Sequence, residues 1–165
     1  ALAQGPPRMD AVAQAQAAGG RFMGSVLVAK EGVVLFEKSY GLANVEWDIP
    51  NTSDTKFRIG SLTKQFTAAA VLLLEERGQL KVEDPISRYV PSAPESWQAV
   101  TIHQLLNHTS GIPDYTNLPD CRIWQRSPET PEQIVRHFRE LPLEITPGEK
   151  FKYISGGYVV LAYPI

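Results

Sequence analysis

Phe57-Arg58-Ile59-Gly60-Ser61-Leu62-Thr63-Lys64-Gln65-Phe66-Thr67-Ala68 opens the most apolar helical stretch of the chain. Leu62, Phe66, Ala69, Ala70, Leu73 and Leu74 recur at helical spacing, and Val71 and Leu72 widen the apolar face. The pattern predicts a nearly buried helix that stops at Gly78. Ser61 then falls in its first turn, where free backbone N–H groups favour developing negative charge. Ser61 and Lys64, three residues apart, share one helical face, with Cβ atoms about 5–6 Å apart. A serine hydroxyl is a poor nucleophile until its proton is removed, and a desolvated lysine can give up its own proton and serve as a base.

The spacing by itself is weak, because Ser53-Asp54-Thr55-Lys56 repeats it. Ser53 lies beside Asp54 in the turn-like cluster Pro50-Asn51-Thr52-Ser53, where a cap or turn role explains it. Ser61 differs in following Gly60 and heading the apolar helix. On local pattern the ordinary alternatives stay open: Ser61 as a plain N-cap, Lys64 on a solvated face.

Toward the N-terminus, Met9 to Ala18 reads as a short Ala/Gln-rich helix ended by Gly19-Gly20. Phe22 to Ala29 and Val33 to Tyr40 are β-rich runs joined at Lys30-Glu31-Gly32, a hairpin signal, and Thr55 to Ile59 reads as a short third strand. Toward the C-terminus come a short helix from Thr101 to Asn107, a loop over Gly111 to Pro119, and a helix starting near Ser127 or Thr130 and reaching about Leu141. Phe151 to Tyr163 closes the chain, helical from about Gly156. Strands first and helices afterwards make the fold class α+β.

The chain has 165 residues, 43% hydrophobic and 21% charged, which is an ordinary balance for one folded domain. A formal charge of −2 argues against a nucleic-acid partner, which would show a basic stripe. The run Ala68 to Leu74 stops at Glu75-Glu76 and is too short to span a bilayer. The single cysteine, Cys121, excludes an internal disulfide and a cysteine-based zinc site, and nothing marks it as a nucleophile. Residues 1–8 read as a tail. Its start, Ala1-Leu2-Ala3-Gln4, fits either a signal-peptide remnant, and hence a periplasmic or secreted protein, or a plain Ala-rich end.

No G-x-S-x-G elbow, phosphate loop or dinucleotide fingerprint occurs. His103, His108 and His137 form no zinc pair, so no metal and no cofactor are expected, and His108 reads as a structural histidine. Two tyrosines compete as partners of Ser61: Tyr115, in Tyr115-Thr116-Asn117, and Tyr153, in Tyr153-Ile154-Ser155. A tyrosine beside cations can have its pKa lowered from about 10 and act as a base.

The stretch from Phe57 to Ala68 strongly resembles the class C β-lactamase family, which also holds D-Ala-D-Ala carboxypeptidases and β-lactamase-like esterases. Further matches follow in order: Leu80-Lys81-Val82-Glu83-Asp84-Pro85-Ile86, Tyr89-Val90-Pro91, Thr101 to Pro113 with Asn107-His108-Thr109-Ser110-Gly111, and Pro147-Gly148-Glu149-Lys150-Phe151-Lys152-Tyr153. The resemblance covers about residues 10–162. It implies Ser61 as the acylated nucleophile, Lys64 easing its deprotonation, and Tyr153 as the base. Tyr115 falls in a loop that does not carry the family's tyrosine. Ser155 stands where the family usually has Asn, so the substrate-binding position offers a shorter hydroxyl.

The resemblance also implies a β-lactamase/transpeptidase-like fold, here the N-terminal hairpin strands with the helical subdomain. Further strands and a third motif, Lys-Thr-Gly or His-x-Gly, are expected beyond residue 165, which makes 9–165 a partial domain with an open sheet edge. Such an edge predicts self-association into a homo-oligomer. The implied activity is acyl transfer on small esters, with weak or no β-lactam turnover. The alternative is a non-catalytic or acylation-only, penicillin-binding-like module that completes its fold with another chain.

Overall fold

A computed structural model describes residues 6–165. The Ala1-Leu2-Ala3-Gln4 stretch lies outside the described residues. Helix α1 (Pro6–Ala18) begins three residues before Met9, so Pro6, Pro7 and Arg8, read as tail, are helical. Pro at a helix start is favourable because its missing N–H would be unpaired there in any case. The helix ends in a Schellman motif: the Arg21 N–H donates to Gln16 O, the Gly20 N–H to Ala17 O, and Gly20 takes φ +66°.

Strands β1 (Gly24–Lys30) and β2 (Val33–Tyr40) form the expected antiparallel hairpin. Glu31 and Gly32 both have positive φ (52° and 78°), the requirement of a two-residue turn that matches strand twist. Asp10 on α1 accepts from Lys38 Nζ at 2.8 Å and from the Tyr40 hydroxyl at 2.7 Å, tying the helix to β2. Burial, then the Asp10 carboxylate, push the Tyr40 phenol up to about 12. A second small pair follows, β3 (Leu42–Asn44) with β4 (Ile49–Pro50).

Thr55 to Ile59 is not a strand. The Thr55 N–H donates to Thr52 O and the Thr52 N–H to Thr55 Oγ1, so side-chain bonding closes a turn instead of leaving the backbone free to pair.

The chain divides into two compact units, one ending at Arg58 and the other spanning Ile59–Ile165. The second unit is helical. It begins with a 3₁₀ turn (Gly60–Leu62) that runs into α2 (Thr63–Glu76). Gly78, at φ +69°, stops α2 with the Gln79 N–H on Leu74 O and the Gly78 N–H on Glu75 O. The expectation of near-complete burial fails. Only Val71 of α2 is buried, while Leu62, Phe66, Leu72 and Leu73 are exposed. The helix is apolar on two faces, and the core of this unit takes one of them.

That core holds Val71, Leu80, Ile86, Trp97, Ile102, Leu105, Phe138 and Ile154. Helix α3 (Ile102–Leu106) starts with a full capping box, the Gln104 N–H on Thr101 Oγ1 and the Thr101 N–H on Gln104 Oε1. The short α4 (Cys121–Trp124) was not expected. The Thr130–Gln133 capping box opens α5 (Pro131–Arg136), which gives way to turns from His137, with Phe138 fully buried in the core, rather than reaching Leu141. Helix α6 (Gly156–Val160) starts where expected.

Candidate active site

The four residues expected at the site lie in the second unit, and the fold brings them together. Gly60, at φ +55°, turns the chain into the 3₁₀ turn and places Ser61 at its second position. The first bond of that turn is the Leu62 N–H on Ile59 O, so the Ser61 N–H precedes it and has no acceptor in the turn. Lys64, in the first turn of α2, points its ammonium at the serine and donates to Ser61 Oγ at 3.2 Å.

Tyr153 and Ser155 come from the segment before α6. Three backbone bonds pin this segment and its approach to the turn after α3. The Glu144 N–H donates to Gly111 O, the Gly148 N–H to Thr109 O, and the Lys152 N–H to His108 O, each at 2.8 Å. Ile154 is buried in the core, so its neighbours Tyr153 and Ser155 project the other way, toward Ser61 and Lys64. The Tyr153 hydroxyl donates to Ser61 Oγ at 2.7 Å, and Lys64 Nζ reaches Ser155 Oγ at 3.4 Å. Lys64 Nζ also stands 4.9 Å from the Tyr153 ring centroid and 5.5 Å from that of Tyr158.

Electrostatics single out Tyr153. The Lys64 side chain beside it, then the Ser61 hydroxyl, hold its phenol below the ordinary value of 10.0, against a smaller opposing effect of burial. Tyr158 moves the other way, raised first by burial and then by Tyr153. Its hydroxyl donates to Leu106 O at 2.9 Å, which fixes the ring under Lys64.

A cleft of about 310 Å³ opens over Ser61 and Lys64, lined also by Thr67, Tyr115, Ser155 and Tyr158. Tyr115, the competing tyrosine, is therefore part of the cleft wall. Sequence reasoning missed Tyr158 and gave His108 only a structural role. Among the described residues, no cluster of His, Cys, Asp or Glu is arranged to hold a metal ion. Among the same residues, no helix is long and apolar enough to cross a membrane.

Comparison with known proteins places the chain in a family. The Beta-lactamase family model matches residues 9–165. Penicillin-binding protein 4* of Bacillus subtilis (strain 168) is 38% identical over 144 residues, covering 86% of this chain and 32% of that protein. Esterase EstB of Burkholderia gladioli is 41% identical over 111 residues, covering 64% of this chain and 28% of the esterase. The octameric penicillin-binding protein homologue from Pyrococcus abyssi superimposes with a TM-score of 0.79 at 32% identity, covering 96% of this chain and 38% of that one. The chain spans about a third of the length of the curated relatives it matches. The family holds serine hydrolases, esterases and amidases among its members. Its mixed helix-and-sheet architecture is the β-lactamase/transpeptidase-like fold. By sequence and by fold, this chain belongs to the β-lactamase family.

Proposed function

We propose that the chain acts as a serine hydrolase through an acyl-enzyme on Ser61, with small esters as its preferred substrates. The observation that carries this reading is the 2.7 Å contact between the Tyr153 hydroxyl and Ser61 Oγ, with Lys64 Nζ 3.2 Å from the same oxygen. With Tyr153 ionised, the roles in that contact reverse and Ser61 becomes the donor. Ser61 Oγ attacks the ester carbonyl while its proton passes to the Tyr153 phenolate. The collapsing tetrahedral oxyanion expels the alcohol, which takes the proton back from Tyr153. Water then attacks the acyl group, Tyr153 accepts its proton, and Ser61 leaves reprotonated. The Lys64 ammonium stabilises the ionised phenol, and the Ser61 N–H faces the developing oxyanion.

The ester preference rests on Ser155. An asparagine offers a donor and an acceptor on a longer arm, and a hydroxyl replaces only part of that. An amide leaving group also needs protonation and stronger oxyanion help than an activated ester, so ester cleavage should exceed β-lactam hydrolysis by about 10²–10³-fold. Two further readings go with the proposal. The likeness to a penicillin-binding protein supports an extracytoplasmic location. The two-stranded β1–β2 sheet, marginal by itself in water, supports self-association through a strand edge.

Intact-mass measurement after mixing with a short-chain nitrophenyl ester or a penicillin tests the reading. A transient acyl adduct on Ser61 with release of nitrophenol is expected from the ester, and a slow, persistent adduct from the penicillin. Persistent adducts from both favour an acylation-only module, and no adduct from either overturns the hydrolase.

A further inference from the structure

We propose that His108 is a positioning residue for Tyr153, and that it holds the phenol against Ser61 only while its imidazole is neutral. The inference rests on the serine hydrolase reading above.

Both residues flanking Tyr153 are bonded to His108. The Lys152 N–H donates to the His108 carbonyl at 2.8 Å, and the Ile154 N–H donates to His108 Nδ1 at 3.3 Å. The first bond belongs to the backbone and survives any substitution. The second belongs to the ring and requires an unprotonated Nδ1. The ring itself lies between two tyrosines. Its centroid is 4.5 Å from that of Tyr153 and 5.1 Å from that of Tyr158, at tilts of 36° and 33°, and Phe151 meets its edge at 5.9 Å. The contact of the imidazole with the Tyr153 ring restricts the plane of that ring.

His108 makes these contacts from a left-handed backbone, φ +61°, a conformation in which His, Asn and Asp are enriched among residues other than Gly.

Protonation undoes the arrangement. An imidazolium has no lone pair on Nδ1, so the Ile154 N–H loses its acceptor beside Tyr153. Four titratable groups face the ring: Lys64 from α2, Asp114 from the loop after Gly111, and Tyr153 and Tyr158. Burial, then the Lys64 charge, hold His108 below its ordinary 6.5, and the Ile154 backbone, then Asp114, oppose them. The neutral, bonded form therefore dominates at neutral pH, and release occurs only on acidification.

The test compares His108→Ala with His108→Asn in the full chain. Asn tolerates positive φ and carries an acceptor near the Nδ1 position, and it does not titrate. With a nitrophenyl ester, His108→Ala is expected to lower kcat about tenfold while KM changes by less than about twofold, and His108→Asn should restore most of the loss. Wild type should lose kcat on an acid limb centred below 6.5 that His108→Asn lacks.

A second readout needs no activity. The Tyr153 ring-carbon NMR signal, identified by its loss in Tyr153→Phe, should shift in wild type as His108 protonates and stay flat over that range in His108→Asn. The same shift in both chains, or no shift in wild type, overturns the positioning role. Wild type with no turnover and no Ser61 adduct overturns the hydrolase reading instead, while the ring-carbon signal still decides the role of His108. If neither variant folds, as judged by near-ultraviolet circular dichroism, the wild-type titration alone decides it.

Discussion

Gly156 packs so closely on Pro113 that a Cβ at position 156 would lie 2.6 Å from the Pro113 carbonyl oxygen. The obstacle is backbone, with the Phe138 ring at 3.4 Å behind it, so it does not yield cheaply. This contact seats the start of α6, and with it Ser155 and Tyr153, against the turn that carries His108.

Gly156→Ala is therefore expected to destabilise the chain by about 1–3 kcal/mol through overpacking. In an unobstructed helix the same change would stabilise by about 0.5–1 kcal/mol, so the sign is diagnostic. Urea unfolding monitored by tryptophan fluorescence decides it, and a gain in stability would sink the packing argument.

Tyr153→Phe should keep the fold and lower ester turnover by about 10²–10⁴-fold, the range for loss of a positioned general base. Lys64→Ala should act through the same group. The Lys64 side chain is the main influence holding the Tyr153 phenol below 10.0. Without it the phenolate forms only at higher pH, so the alkaline-rising limb of kcat should move upward. A limb that stays in place, read from stopped-flow rates across pH, would remove Tyr153 from the base role.

Ser155→Asn should raise the rate of penicillin acylation by up to about tenfold, the effect of one added hydrogen bond, with little change for a nitrophenyl ester. Time-resolved intact mass gives both rates. An equal change for the two substrates would mean that Ser155 does not discriminate leaving groups.

Asp84 accepts from the Tyr89 hydroxyl at 2.6 Å, the Lys81 N–H at 2.9 Å and Arg88 Nη1 at 3.2 Å. The Tyr89 bond, then the Lys81 bond, hold its carboxyl below 3.8. A carboxylate with a depressed folded-state pKa contributes stability that is full above its unfolded value and fades as pH falls through the folded one. Asp84→Asn should thus be less stable than wild type at pH 7, with the gap closing below about pH 4. A gap that is constant with pH would assign the loss to packing alone.

Much of this was legible in the sequence, because local chemistry decides it. Glu31-Gly32 permits only a tight turn, Gly78 stops α2, and the Thr101 and Thr130 caps each carry their Gln three residues on. Ser61, Lys64, Tyr153 and Ser155 were nameable through the order of several motifs; the Ser-x-x-Lys spacing alone did not separate Ser61 from Ser53. The failures lie where tertiary context decides. Thr55 to Ile59 has strand composition, yet its Thr52–Thr55 bonds make a turn. Phe66 has core chemistry and is 63% exposed, because helical periodicity does not say which of two apolar faces is covered. The two bonds from His108 that bracket Tyr153 depend on a left-handed residue meeting a segment more than forty positions away, and no spacing encodes that.

The polarity of the tyrosines reaches beyond catalysis. All six tyrosines lie among the described residues, and for five of them (Tyr40, Tyr89, Tyr115, Tyr158 and Tyr163) burial leads the causes that raise the phenol. Tyr153 alone is lowered. On an alkaline ramp its ring should be the first to develop tyrosinate absorbance. The chain thus carries an intrinsic chromophore at Ser61, so the state of the site can be followed optically without a substrate, a label or a dye.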